Sequence, residues 1–322
     1  MTHQRALLMM VAATVLWSTA GVVTRYLESA RSFEVTFWRS AFNALALIVL
    51  LSWLRGPLPL WRTLRTGGRA LWVSGLCWCV MYTAFMLALT LTTVANVLVT
   101  MALAPLFTAI GARVALGHRL APRTWLAIVV AGAGIVWMYG HELSGGDARH
   151  LGGVLVALCV PLAAATNWTL LQAQAARAAR PATAVADGAG TPADPPADML
   201  TAVLLGALLS ALITLPLALP PRASLHDVSL LGLLGVFQLA IPCLMAVAAS
   251  RVLKAPEAAL LSLLEVIFGV SWAWLSGTES PSQAVILGGL LVLVALALNE
   301  WLSMRQRAAE ASAATADPPA RA

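Results

Sequence analysis

Apolar residues in this chain run in long blocks separated by short polar gaps that carry arginines. A helix that crosses a bilayer needs about 20 mostly apolar residues, because the hydrocarbon core is about 30 Å thick and each residue adds about 1.5 Å. Ten blocks meet or approach that length: 6–25, 34–54, 70–90, 94–115, 124–140, 151–171, 199–219, 228–249, 256–276 and 283–303. A membrane β-barrel would show alternating segments of about ten residues. Leu45–Leu51 and Leu290–Leu298 show no alternation. The pattern predicts an all-α integral membrane protein with ten transmembrane helices.

Composition supports this reading. Of 322 residues, 60% are hydrophobic and 11% charged, with mean hydropathy +0.84. Those values exclude overall disorder and an ordinary water-soluble domain. The sequence pI of about 9.8 raises nucleic acid as a partner. The basic residues fall in gaps between apolar blocks, however, so no nucleic acid is expected. Cys77, Cys79, Cys159 and Cys243 lie within apolar blocks, which argues against a disulfide framework.

Charge also sets the orientation, since basic residues concentrate on the cytoplasmic side. With the N-terminus inside, the cytoplasmic gaps hold Arg5, Arg55, Arg62, Arg65, Arg69, Arg113, Arg119, Arg123, Arg177, Arg180, Arg251, Lys254, Arg305, Arg307 and Arg321, which is 15. The opposite side holds Arg25, Arg31, Arg149 and Arg222, which is 4. Both termini are therefore expected in the cytoplasm. Arg5, the apolar run after it and Ser18-Thr19-Ala20 resemble a cleavable signal peptide. Cleavage would leave nine spans and destroy the alternation, so a retained helix is expected.

The halves echo one another. Ala95 and Ala255, and likewise Gly117 and Gly277, are 160 positions apart. Five spans separate equivalent helices, so the copies face opposite ways, the arrangement of secondary transporters with a substrate site near the midplane. The expected units are a first five-helix repeat at 1–140 and a second at 151–303. The second contains a cytoplasmic linker at 172–198, and a cytoplasmic tail follows at 304–322.

No enzymatic constellation stands out. His3, His118, His141, His150 and His226 lack zinc-ligand spacing, and there is neither a G-x-S-x-G turn nor a Walker A loop. No catalytic residue, metal or cofactor is expected. The informative residues are polar ones inside spans. Arg39 lies about a turn into the second span, five residues after Glu34. It reads either as a cavity-facing cation or as an arginine snorkelling to headgroups. Glu265 lies near the middle of the ninth span, where a carboxyl suits proton binding, recognition of an amine or a hydrogen bond between helices. Asn43, Asn96, Asn167 and Gln238 read as cavity lining or as helix–helix glue. Trp17, Trp168, Trp272 and Trp274 are candidate cavity walls. Trp53, Trp61, Trp72, Trp125 and Trp301 near span ends read as interfacial anchors. Pro105, Pro161, Pro216 and Pro242 permit bends. Ala127/Ala131 and Ala284/Gly288 mark close helix contacts.

Several of these residues carry a family resemblance. Trp17-Ser18 in the first span, Arg39 in the second, Leu116-Gly117 before a helix with Gly132 and Gly134, and Glu265 ahead of Gly277 resemble EamA-type transporters of the drug/metabolite transporter superfamily. The resemblance implies two inverted five-helix repeats around a central cavity and commonly export of amino acids or other small metabolites. This chain departs from the family pattern at Ser18, His118 and Val266, where Gly, Glu and Pro are frequent. The reading is an alternating-access exporter of a small metabolite, amino-acid-like or drug-like, in a bacterial inner membrane. The bacterial assignment rests on family habit and on 19 Arg to 1 Lys, which suggests GC-rich coding. An uptake carrier or exchanger of the same fold and, in another class, a membrane enzyme or scaffold are the alternatives. The partners implied are a small-molecule substrate, a proton as candidate coupling ion and the lipid bilayer, with a homodimer left open.

Overall fold

The computed structural model describes residues 2–116, 122–143, 148–178, 199–249, 252–253, 261–277 and 282–316. Among these, every regular element is a helix. The gap around His118 and residues 179–198 of the expected linker lie outside the described residues.

The first expected span is two helices, α1 (His3–Ser18) and α2 (Ala20–Arg25). Near the break, Ser18 and Thr19 turn their hydroxyls back onto the carbonyls of Val15 and Leu16, both at 2.7 Å, a local bond that bends helices. The second span is α3 (Ser32–Arg55). It ends at Gly56, whose φ of 83° favours glycine, and Pro57 then opens the short α4 (Pro57–Thr66). The third span is α5 (Arg69–Leu91). The fourth splits at Ala102-Leu103 into α6 (Val94–Met101) and α7 (Ala104–Leu116). Next come α8 (Pro122–Leu143), α9 (Ala148–Ala178) and α10 (Met199–Ala218).

The eighth expected span runs through α11 (Leu225–Leu233), a π-helical turn over Leu234–Ala240, and α12 (Ile241–Ala249). Pro242 has no N–H to give the Gln238 carbonyl four residues back, so the helix widens there instead of keeping α geometry. A turn at Leu263 precedes α13 (Leu264–Leu275), and α14 (Gln283–Ala316) closes the described chain. Two boundaries differ from the sequence expectation. Residues 172–178, expected as linker, continue α9, and 304–316, expected as tail, continue α14. Both stretches are rich in alanine and other strong helix formers.

Among the described residues, seven helical stretches are long and apolar enough to cross a membrane: His3–Arg25, Ser32–Leu54, Arg69–Leu91, Val94–Gly111, Leu200–Ala218, Leu225–Ala246 and Gln283–Gln306. Leu151–Asn167 and Leu264–Leu275 are shorter apolar helices. Large apolar side chains face outward on several of them, among them Leu45, Val49, Leu212, Leu287 and Leu290. Such a surface suits lipid and is unusual for a protein in water.

Inside, α5 packs on α9 and α10, α10 on α3, α8 on α14, and α1 on α12 and α13. Small residues set the closest approaches. A Cβ on Gly206 of α10 would lie 2.9 Å from the Gly75 carbonyl of α5, and one on Gly134 of α8 would lie 2.9 Å from the Gly288 carbonyl of α14. Hydroxyls and amides stitch the same interfaces: Ser40 and Thr83 each meet Ser210 at 2.9 Å, and Thr124 donates to Asn299 at 3.2 Å.

Two buried acids tie the ends of the halves together. Glu34, in the first turn of α3, accepts the backbone N–H groups of Arg222 and Ala223 at 2.8 and 2.7 Å. Asp227, in the first turn of α11, accepts the N–H groups of Glu28, Ser29 and Ala30 at 2.8–2.9 Å, together with the Ser29 hydroxyl.

Candidate functional site

Arg39 sits two turns into α3, with 2% of its surface exposed. A guanidinium shut away from water needs polar partners, and Gln238 supplies them from the π-helical turn. Its Oε1 accepts from Arg39 Nε at 3.2 Å and from Nη2 at 2.8 Å. Gln238 Nε2 donates in turn to the Trp17 carbonyl at 3.0 Å, in the last turn of α1, where that carbonyl also accepts a backbone N–H of the helix cap. One amide thus joins α1 and α3 to the eighth span. The opening of the π turn and the break in the first span are the local features that make this bridge.

Close approach of the backbones fixes the bridge. A Cβ built on Gly235 would lie 2.7 Å from the Arg39 carbonyl oxygen and 2.8 Å from the Asn43 nitrogen. Only a residue without a side chain lets the π turn press this closely on α3. The Arg39 guanidinium also lies 5.5 Å from the Phe85 ring centroid on α5, a cation–π contact of the kind that gains strength when water is excluded.

Further polar groups close around the same point. Asn43 is one turn beyond Arg39, on the same face of α3. Tyr82 on α5 lies within electrostatic range of Asn43, Arg39 and Cys243. Arg39 Nη1, both polar atoms of the Asn43 amide and the Tyr82 hydroxyl are buried with no hydrogen-bond partner among the described residues. Unmatched buried donors are rare in folded proteins and call for an explanation. Glu265 occupies the first turn of α13, directly after the turn at Leu263, where a carboxylate is favoured by the helix dipole. It is within electrostatic range of Arg39 but not within ion-pair distance. About two turns further along α13, Trp272 donates its indole N–H to Ser18 Oγ at 3.1 Å.

The structure therefore gathers Trp17, Arg39, Asn43, Gln238, Glu265 and Trp272 around one region where α1, α3, the π turn and α13 converge. It places the remaining two candidates elsewhere. Asn167 on α9 accepts from Ser74 on α5 at 2.6 Å, a helix–helix contact. Asn96 donates to Thr92 Oγ1 at 3.1 Å near the start of α6. The snorkelling alternative for Arg39 is overturned by its burial, and Glu34 serves the 222–223 backbone rather than Arg39. Trp274, expected as a cavity wall, is 66% exposed and faces outward. Tyr82, Phe85 and Cys243 were not singled out by their own signals, because aromatics and a cysteine inside an apolar block look like ordinary core.

A groove of about 540 Å³ lined by Phe42, Leu225, Val228, Gly232, Val236 and Phe237 shares no residue with the Arg39 cluster and is almost wholly apolar.

Comparison with known proteins bears on what this arrangement serves. The family model described as EamA-like transporter family matches residues 4–140 and 194–301. No curated protein matches the chain. Fifteen chains of solved structures match it. One, described as "Crystal structure of protein", aligns with a TM-score of 0.61 at 18% identity, over 95% of this chain and 99% of its own. At that identity the likeness speaks for the fold alone.

Proposed function

The chain belongs to the EamA-like transporter family, and from that premise we propose that it is a secondary transporter exporting a small metabolite by alternating access through the Arg39 cluster. The observation that carries the proposal is the burial of Arg39 against Gln238, with Nη1 and the neighbouring Asn43 and Tyr82 groups unmatched. A guanidinium edge beside unmatched donors suits a carboxylate or another oxyanion. Glu265 across the cluster suits an amine or a proton. An amino-acid-like substrate carries both groups.

Broken helices support this site. Transporters of inverted-repeat design bind substrate where membrane helices are interrupted near the midplane. The turns at Leu103 and Leu263 are 160 residues apart, the same offset as Ala95 and Ala255. In this reading α8, α9 and α13 also cross the bilayer, giving ten spans in two inverted repeats around a cavity that opens to each side in turn. Arg25, Arg31, Arg149 and Arg222 belong to the outer face and the 15-residue basic set to the cytoplasmic face of a bacterial inner membrane, with both termini inside.

Purified protein in sealed vesicles loaded with labelled amino acids tests the proposal. Protein-dependent efflux is expected. Product formation without flux would replace it with an enzyme, and flux only inward would make the protein an uptake carrier. A comparison of metabolites released by deletion and overexpressing strains identifies the substrate.

A further inference from the structure

Helix α4 is too short to cross a bilayer, and it meets the rest of the molecule along one edge only. Leu60 is buried there, with Leu64 beside it, against the cluster formed by Leu47, Leu51 and Leu204. Next to that edge Leu58 and Trp61 stand exposed, and exposed Trp53 and Leu54 end the span Ser32–Leu54 that leads directly into α4. Arg62 and Arg65 on α4, and Arg69 opening α5, are exposed as well. No acidic residue occurs between Arg55 and Arg69.

The arginines are not loose. The Arg65 guanidinium lies 5.0 Å from the Trp61 ring centroid. The same pairing recurs twice: Arg113 of α7 is 5.9 Å from the ring of Trp125 on α8, and Arg305 is 3.9 Å from that of Trp301 on α14. All three rings are exposed. All three arginines belong to the gaps that the basic alternation assigns to one side of the membrane.

Each half of this pattern has its own physical meaning. Tryptophan prefers the boundary between acyl chains and headgroups. A guanidinium stacked on a ring is held in place while its N–H edge stays free for a bidentate oxyanion. A helix with one exposed apolar strip and flanking arginines lies flat at that boundary.

We propose that this face is a binding surface for anionic phospholipid. Helix α4 lies in the headgroup layer with Leu58 and Trp61 toward the acyl chains, and Arg62, Arg65 and Arg69, with the ring-stacked Arg113 and Arg305, hold headgroup phosphates. The exposed apolar residues of α4 follow a membrane span through Gly56 alone, which selects lipid over a soluble partner, and the absence of acidic residues between Arg55 and Arg69 selects anionic over zwitterionic headgroups. The proposal concerns a surface remote from the Arg39 cluster and does not depend on transport.

The test is native mass spectrometry of the full-length protein released from vesicles of equal phosphatidylglycerol and phosphatidylcholine. Wild type is expected to retain phosphatidylglycerol preferentially. The triple variant Arg62→Gln, Arg65→Gln, Arg69→Gln is expected to lose that preference, by about fivefold for each arginine removed. These side chains are exposed, so its unfolding temperature should match wild type. Arg222→Gln, on the opposite face, should leave retention unchanged, and millimolar glycerol 3-phosphate should not displace the lipid. Equal retention of both lipids by wild type, wild-type preference in the triple variant, or displacement by glycerol 3-phosphate alone would overturn the proposal.

Discussion

Glu34 and Asp227 hold each other's loops: Glu34 at the start of α3 binds the backbone at 222–223, and Asp227 binds the backbone at 28–30. Each carboxylate lies a few residues from the loop that the other acid binds, and both are almost completely buried. Charge-assisted bonds from backbone N–H groups are about twice as strong as neutral ones. One end of the molecule is thereby joined across its two halves, and His226 Nδ1 lies 3.9 Å from the Glu28 carboxylate at the same junction.

Removing the Asp227 carboxylate strands four donors at once. Asp227→Ala should lower stability by about 2–4 kcal/mol, seen as a reduced unfolding temperature in detergent. Asp227→Asn keeps one acceptor oxygen and should fall between. Glu28 is exposed, so Glu28→Gln should change little. Equal melting of Asp227→Ala and wild type would show that water satisfies the 28–30 loop.

Two glycines of the eighth span make a matched pair. At Gly235 a methyl group would meet backbone atoms of Arg39 and Asn43 at 2.7–2.8 Å, whereas at Gly232 it would meet only the Phe42 ring at 3.5 Å. Backbone cannot swing aside, so Gly235→Ala should cost about 1–3 kcal/mol and pull Gln238 away from Arg39. Gly232→Ala should behave as wild type. Unfolding temperature and vesicle flux measured side by side check both, and equal behaviour of the two variants would refute the close approach.

If Glu265 carries the coupling proton, Glu265→Gln retains shape and hydrogen-bonding capacity but cannot titrate. Its net efflux should be flat across pH, with normal membrane abundance. A pH profile matching wild type would leave Glu265 a structural contact between helices.

Orientation is open to direct labelling. In a background lacking exposed Cys159, a cysteine at Arg62 should react with an impermeant reagent only from the cytoplasm, and one at His226 only from outside. Labelling of both positions from the same side would contradict the inverted arrangement.

Much of this architecture is legible in the chain because bilayer-length apolar blocks have few alternatives to helix. The interruptions are less legible. Apolarity continues unchanged through Thr19, Ala102-Leu103 and the π turn, and only Pro105 and Pro242 hint at two of them. Helix α4 reads as a basic gap, since its four large apolar residues, Leu58, Leu60, Trp61 and Leu64, are too few to stand out. Arg39 looks shallow by position, and its burial depends on Gln238, 199 residues away. Asp227 gives no signal at all, because the loop it holds is equally distant in sequence. Local pattern finds helices, but the polar contacts that make the site are long-range.

The central claim, that substrate passes through the Arg39 cluster, is tested most directly by flux of Arg39→Gln and Arg39→Lys in vesicles, normalised to folded protein. Charged hydrogen bonds of this kind justify an expected loss of about tenfold or more for Arg39→Gln. Partial recovery is expected in Arg39→Lys, which keeps the charge without the planar fork. Wild-type flux in Arg39→Gln would contradict the account and leave the Arg39–Gln238 bridge a purely structural joint.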